Sequence, residues 1–297
     1  MTMGLRRYIG LLFALVVATA NAQDPLVEAL RSYQGGDLAK ARTLIDEAVL
    51  TPAHANDPEA WLLRGFVYKD VFKGATANPA EADRARDDAM NSLYRSMVLD
   101  KDSTYRDNAT QAYDYLAKSC FNEAARAVNE GDETRAMLLF DKYQEAVTRV
   151  QPKADMRAKE LEFRNALGTV YTKRFNQDRT QLEWFDRATA TYKQVIAIDP
   201  ENYGANYNLA TLYYNLGVFR IRAMQAEVDL ITMQQIQQVA RDLFMQALPY
   251  MLKAHDMNPT RRETLLGLEG IYYSLQDEAN SEKFRQLYEM LPPGEDH

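Results

Sequence analysis

Cysteine is nearly absent from this chain of 297 residues, where Cys120 stands alone. A single thiol forms no internal disulfide, so packing has to hold the fold, and a lone cysteine on a helix reads as a small buried hydrophobe. Histidine is almost as scarce, with only His54, His255 and His297. No two of them share a metal-ligand spacing such as H-E-x-x-H, so no metal site is expected. The glycine patterns of phosphate and dinucleotide loops are missing, and so is the G-x-S-x-G elbow of serine hydrolases. Adjacent acids such as Asp87 and Asp88 read as solvated helix faces in a chain with 42 carboxylates. The expectation is a protein with no catalytic residue, no cofactor and no enzymatic activity.

Long apolar runs are also lacking beyond the first residues. There, Arg6 and Arg7 precede an apolar stretch over 9–18, followed by Ala20-Asn21-Ala22. That order is the charged region, apolar region and small-residue cleavage site of a secretory signal peptide. The stretch falls short of the ~20 residues a bilayer span needs. Cleavage is therefore predicted after residue 22, leaving 23–297 as one array, exported to the periplasm or secreted. No cysteine lies beside the cleavage point, so no lipid anchor is expected. The most apolar later segment, 209–224, carries Arg220 and Arg222, so no transmembrane segment is predicted in the mature chain. Cleavage removes two arginines and no acid, which leaves 33 basic against 42 acidic side chains, about −9. A surface of that sign repels nucleic acid and anionic lipid head groups, and neither is an expected partner.

What is present is a pattern that recurs at unequal intervals. Its first half reads Trp61, Arg64, Gly65, Tyr68, then Arg164, Leu167, Gly168, Tyr171, then Asn206, Leu209, Ala210, Tyr213, and last Leu265, Leu268, Glu269, Tyr272. Its second half reads Ala188, Tyr192, Pro200 and Ala247, Met251, Pro259. These residues resemble the tetratricopeptide repeat, a pair of antiparallel helices with the form W-x2-L-G-x2-Y and A-x3-F…P over 34 residues. The resemblance implies an all-α, right-handed superhelical solenoid, because one such pair cannot bury its apolar face alone. It also implies a scaffold for protein–protein interaction.

Periodicity and turn residues supply about six pairs: 25–34 with 38–50, a helix opened by Asp57-Pro58 and carrying Trp61, Gly65 and Tyr68 with 82–99, 105–129 with 133–150, 161–174 with 182–198, 202–230 with 231–257, and 262–275 with 281–291. Small residues at Gly65, Gly168, Ala188 and Ala247 are expected where helices cross closely. In the repeat, the tyrosine of the first helix and the alanine of the second lie nine positions apart. Tyr272 to Ser281 and Ser32 to Ala41 keep that interval, whereas Tyr68 to Ala89 is 21, Tyr171 to Ala188 is 17 and Tyr213 to Ala247 is 34. The extra length thus falls at the turn within the inner pairs, giving extended hairpins along one edge. Lys73 to Glu81 reads as a loop, while 218–238 has no glycine or proline and should lengthen both helices into a protruding hairpin.

The resemblance also implies a partner-binding groove lined by first-helix positions beside the packing face. Here these are Asn165, Thr169, Thr172, Tyr207, Asn208, Thr211, Tyr214 and Tyr273. The cations that clamp chaperone carboxylates in some repeat domains are absent, and Glu263 stands at one matching position. The leading expectation is an exported scaffold for a protein partner. The alternative is a glycan- or nutrient-binding accessory protein of an outer-membrane uptake system, since Tyr203, Tyr207, Tyr213 and Tyr214 offer stacking surface.

Overall fold

The computed structural model describes residues 24–75, 77–224 and 229–292. The predicted signal peptide, His297 and part of the 218–238 segment lie outside them. Among the described residues the chain is all-α, with twelve helices and no strand. It divides into two compact units, residues 1–120 and 121–297, with the boundary inside one helix.

The first unit holds α1 (Pro25–Gln34), α2 (Leu38–Ala48), α3 (Pro58–Gly74), α4 (Pro79–Leu99) and the start of α5 (Arg106–Glu130). Each of the first three helix starts has an aspartate whose side chain accepts a backbone N–H: Asp24 from Leu26, Asp37 from Lys40 and Asp57 from Glu59. Proline follows at the first helical position of α1 and α3, where no N–H is needed. Between α1 and α2, Gly36 takes φ of 83°, a turn most other residues would strain to adopt. His54 ties two of these helix starts together, with its ring nitrogens 3.0 Å from Asp24 Oδ1 and 3.3 Å from Asp57 Oδ2. The core runs through Ala29, Ala41, Ile45, Ala48, Ala60, Leu63 and Val67. Cys120, as expected, is buried.

The second unit continues with the end of α5, then α6 (Glu133–Val150), α7 (Arg157–Gln177), α8 (Leu182–Ile198), α9 (Tyr203–Arg222), α10 (Leu230–Met257), α11 (Arg262–Ser274) and α12 (Glu278–Glu289). Phe121, Phe140 and Tyr143 join α5 to α6 through ring contacts of 5.2–6.3 Å, and Phe140 stacks on Phe163 of α7 at 4.1 Å. From α7 onward the helices pack in successive antiparallel pairs, each pair also touching the next.

The small residues of the signature do the predicted work. A Cβ on Gly168 would lie 2.6 Å from the Tyr192 ring, and one on Gly65 equally close to Leu93, so in both pairs the helices approach to a distance only glycine permits. Ala188 and Ala247 are fully buried. The signature tyrosines Tyr68, Tyr171 and Tyr213 are buried as well.

Helix α7 runs from Arg157 to Gln177, longer at both ends than the expected 161–174 and without a side-chain cap at its start, and three further boundaries shift through an N-cap. The loop foreseen at Lys73–Glu81 is shorter than expected, because α3 runs on to Gly74, Asn78 accepts the Glu81 N–H and Pro79 starts α4. The turn foreseen at 230/231 sits earlier: α9 ends at Arg222, and Asp229 accepts the N–H groups of both Ile231 and Thr232 to start α10. Helix α12 opens at Glu278 rather than 281, capped by Asp277. The extra length within the inner pairs is thus almost all helix. Around 178–181, the third insertion, Asp178 accepts from Thr180 and Gln181 and closes a four-residue turn.

Candidate functional site

The expected groove residues lie on α7, α9 and α11 of the second unit. Thr172 is half-buried with its Oγ1 3.4 Å from the Tyr192 hydroxyl. Thr169 and Asn208 lie near enough to that hydroxyl to influence its titration, so side chains from α7 and α9 gather around one atom of α8. Burial raises the Tyr192 pKa and these three polar neighbours oppose the shift, so the hydroxyl stays neutral at any physiological pH. Thr169 also donates to the Asn165 carbonyl, one turn back along α7.

On α9, Thr211 donates to the Tyr207 carbonyl at 2.8 Å. Tyr207 stacks on Tyr203, with ring centroids 5.9 Å apart and planes 9° from parallel. Tyr203 reaches α11, its hydroxyl 2.7 Å from Thr264 Oγ1 and its face covered by the Arg261 guanidinium at 5.0 Å. Arg261 in turn pairs with Glu263 at 3.3 Å, so the acid expected to repel a carboxylate is partnered.

Tyr214 has a different role from its groove companions. Its ring lies 5.6 Å from Phe244 of α10, and its hydroxyl fills the space over Gly270 of α11. Tyr214 therefore welds three helices. Tyr273 stands at the other extreme, 75% exposed on α11 beside Leu266 at 45%. The arrangement as a whole presents hydroxyls, amides and ring edges without an isolated charge. Sequence reading missed Tyr192, although tyrosine in place of the usual phenylalanine of A-x3-F brings a hydroxyl that needs partners when buried.

A second surface lies on the extended α9–α10 hairpin. No described residue between 218 and 239 is buried, whereas Leu216, Gly217 and Ala240 on either side are. A cavity of about 450 Å³ runs beside it, lined by residues that include Ile221, Gln234, Gln238, Arg241, Phe244 and Gln276. Among the described residues no cluster of His, Cys, Asp and Glu is placed to hold a metal, and no helix is long and apolar enough to cross a membrane.

No family model matches the chain, and no curated protein does. Solved structures similar to it include PilW, a widely conserved type IV pilus biogenesis factor, at 17% identity over 93% of this chain and 97% of that one, with a TM-score of 0.36. MamA AMB-1 is similar at 14% identity over 90% of this chain and 99% of that one, TM-score 0.30. A human IFIT1 dimer is similar at 14% identity over 91% of this chain, TM-score 0.37, and the chain spans about half of IFIT1, 51%. The all-helical fold, with adjacent helix pairs packed in succession, is consistent with the tetratricopeptide-repeat solenoid that the repeat signature resembles.

Proposed function

We propose that the chain is an exported, non-enzymatic scaffold that binds another protein in the periplasm or at the cell envelope, through the α7–α9–α11 face of the second unit. The observation that carries this reading is the gathering of Thr169, Thr172 and Asn208, polar and uncharged, around the Tyr192 hydroxyl, which Thr172 reaches at 3.4 Å. That floor is fixed, uncharged and able both to donate and to accept, which suits the alternating N–H and C=O groups of an extended polypeptide. A neutral polar floor gives neither nucleic acid nor a free carboxylate an ionic anchor. Export is supported by the order of residues 1–22.

The test is affinity capture from the native envelope with the wild-type chain and with Asn208→Ala combined with Thr169→Ala. The expected result is a protein held by the wild type and lost from the double variant at unchanged melting temperature. Capture of nothing above background, together with heat released on titrating oligosaccharides, would replace this reading with the glycan-binding alternative.

A further inference from the structure

We infer that the cleft between the first half of α10 and the end of α11 is a binding site for a small polyhydroxylated monocarboxylate, a sugar acid. It shares no residue with the groove and does not depend on the proposed function. Three helices build it. Gln234, Gln237, Gln238 and Arg241 fall at i, i+3, i+4 and i+7 of α10, which is one face of a helix, and all four line the cavity of about 450 Å³. Ile221 of α9 and Phe244 of α10 give it apolar surface. Ser274 at the end of α11 and Gln276 in the turn that follows complete it.

Two observations set this cleft apart from ordinary solvated surface. The first is its unused hydrogen-bonding capacity. The side chains of Gln234, Gln237 and Gln276 bond no other described residue, and Arg241 Nη1 meets only the Leu275 carbonyl, at 3.4 Å, with no carboxylate partner. The second is a backbone cost. The chain makes one kind of turn three times, with the N–H of Asp37, Asp132 and Asp277 bonding the carbonyl five residues back, of Ser32, Ala127 and Tyr272. Before the aspartate stand Gly36 with φ of 83°, Gly131 with φ of 81° and, in the third turn, Gln276 with φ of 64°. This left-handed conformation costs stability in a residue with a Cβ and almost none in glycine. The turn works with glycine in two places, so the glutamine is kept for what its side chain lines, the cleft.

Charge and shape identify the ligand. None of the lining residues is acidic, in a chain whose acids outnumber its bases by 42 to 35. A cation, or the ammonium of an amino acid, would therefore meet no carboxylate there. One guanidinium matches one negative charge, and its planar fork fits a carboxylate. A phosphate dianion would bring one charge too many, and a neutral sugar would leave Arg241 without a counterpart. Side-chain amides donate to and accept from hydroxyls, and the apolar surface of Ile221 and Phe244 suits the C–H face of a sugar ring.

The test is isothermal titration calorimetry on the chain purified as the cell produces it, with three probes: glucuronate, glucose as the ring without the charge, and acetate as the charge without the ring. Glucuronate should bind with a dissociation constant of about 10 μM to 1 mM, and the other two more weakly. Arg241→Gln, at an exposed position, should weaken glucuronate at least about tenfold, as loss of a charge-assisted pair does. Gln276→Gly should weaken it severalfold and, by relieving the turn, raise the melting temperature, a combination that a purely structural role would not produce. Capture of a protein by the groove should be unchanged in Arg241→Gln, so this site and the proposed function fail separately. Glucuronate held no better than glucose or acetate, no binding at about 10 mM, an affinity indifferent to Arg241→Gln, or a melting temperature lowered by Gln276→Gly would each overturn the proposal.

Discussion

The fifth helix pair contains two regions made from the same two helices. In one, 203–217 faces 240–257, and Leu209, Ala210, Tyr213, Phe244, Ala247 and Met251 are all buried. In the other, 218–224 faces 229–239, and nothing described is buried. Both are helix, so helix formation does not separate them; Asp229 caps the second as firmly as Asn202 caps the first. What separates them is residue size at the crossing points. Gly217 sits where a Cβ would come 2.5 Å from Phe244, and past it no glycine draws the helices together. The lesson is that propensity and capping decide whether an insertion becomes helix, while small residues and neighbours decide whether it becomes core.

Substitutions in the two regions should therefore differ sharply. The largest effect is expected from Phe244→Ala, which empties the site shared by Tyr214 and Gly217 and should cost about 3–5 kcal/mol of unfolding free energy in a denaturant titration. Gly217→Val adds bulk at the same contact and should cost roughly 1–3 kcal/mol, read the same way; a neutral result would mean the helices are not in contact there.

A smaller effect is expected from pH. Burial lowers the pKa of His255, whose ring stands edge-on to Phe284 at 5.4 Å; Asp256 opposes that shift and Lys283 adds to it. The neutral ring is thus favoured by folding, and its contribution is whole above the unfolded pKa of about 6.5 and declines as pH falls below it toward the folded value. Between pH 7 and 5 the wild type should lose melting temperature faster than His255→Gln, and parallel slopes would count against the buried-ring account. At the tip, Ile231→Ser should change stability by no more than about 0.5 kcal/mol, as exposed positions do.

Much of this contrast was legible in the sequence. Gly65, Gly168, Ala188 and Ala247 announced the crossings, and unequal intervals announced the insertions. The absence of glycine and proline over 218–238 announced helix. Turn positions were less legible, because a cap needs one side chain rather than a composition. Asn78-Pro79 hid inside an apparent loop, and the Asp229 cap with Thr232 lay just before the turn expected at 230/231, in a stretch without glycine or proline to mark it. The candidate groove residues were assigned by position alone. That Tyr214 packs against Gly270 depends on the following pair, fifty-six residues along the chain, which no local pattern reveals. The gathering of Thr169, Thr172 and Asn208 around Tyr192 depends on three helices at once.

The division of α10 into a packed half and an exposed half is tested most directly by amide hydrogen exchange along this one helix. Protection should be high over 243–254 and low over 230–239. Equal protection of both segments would contradict it.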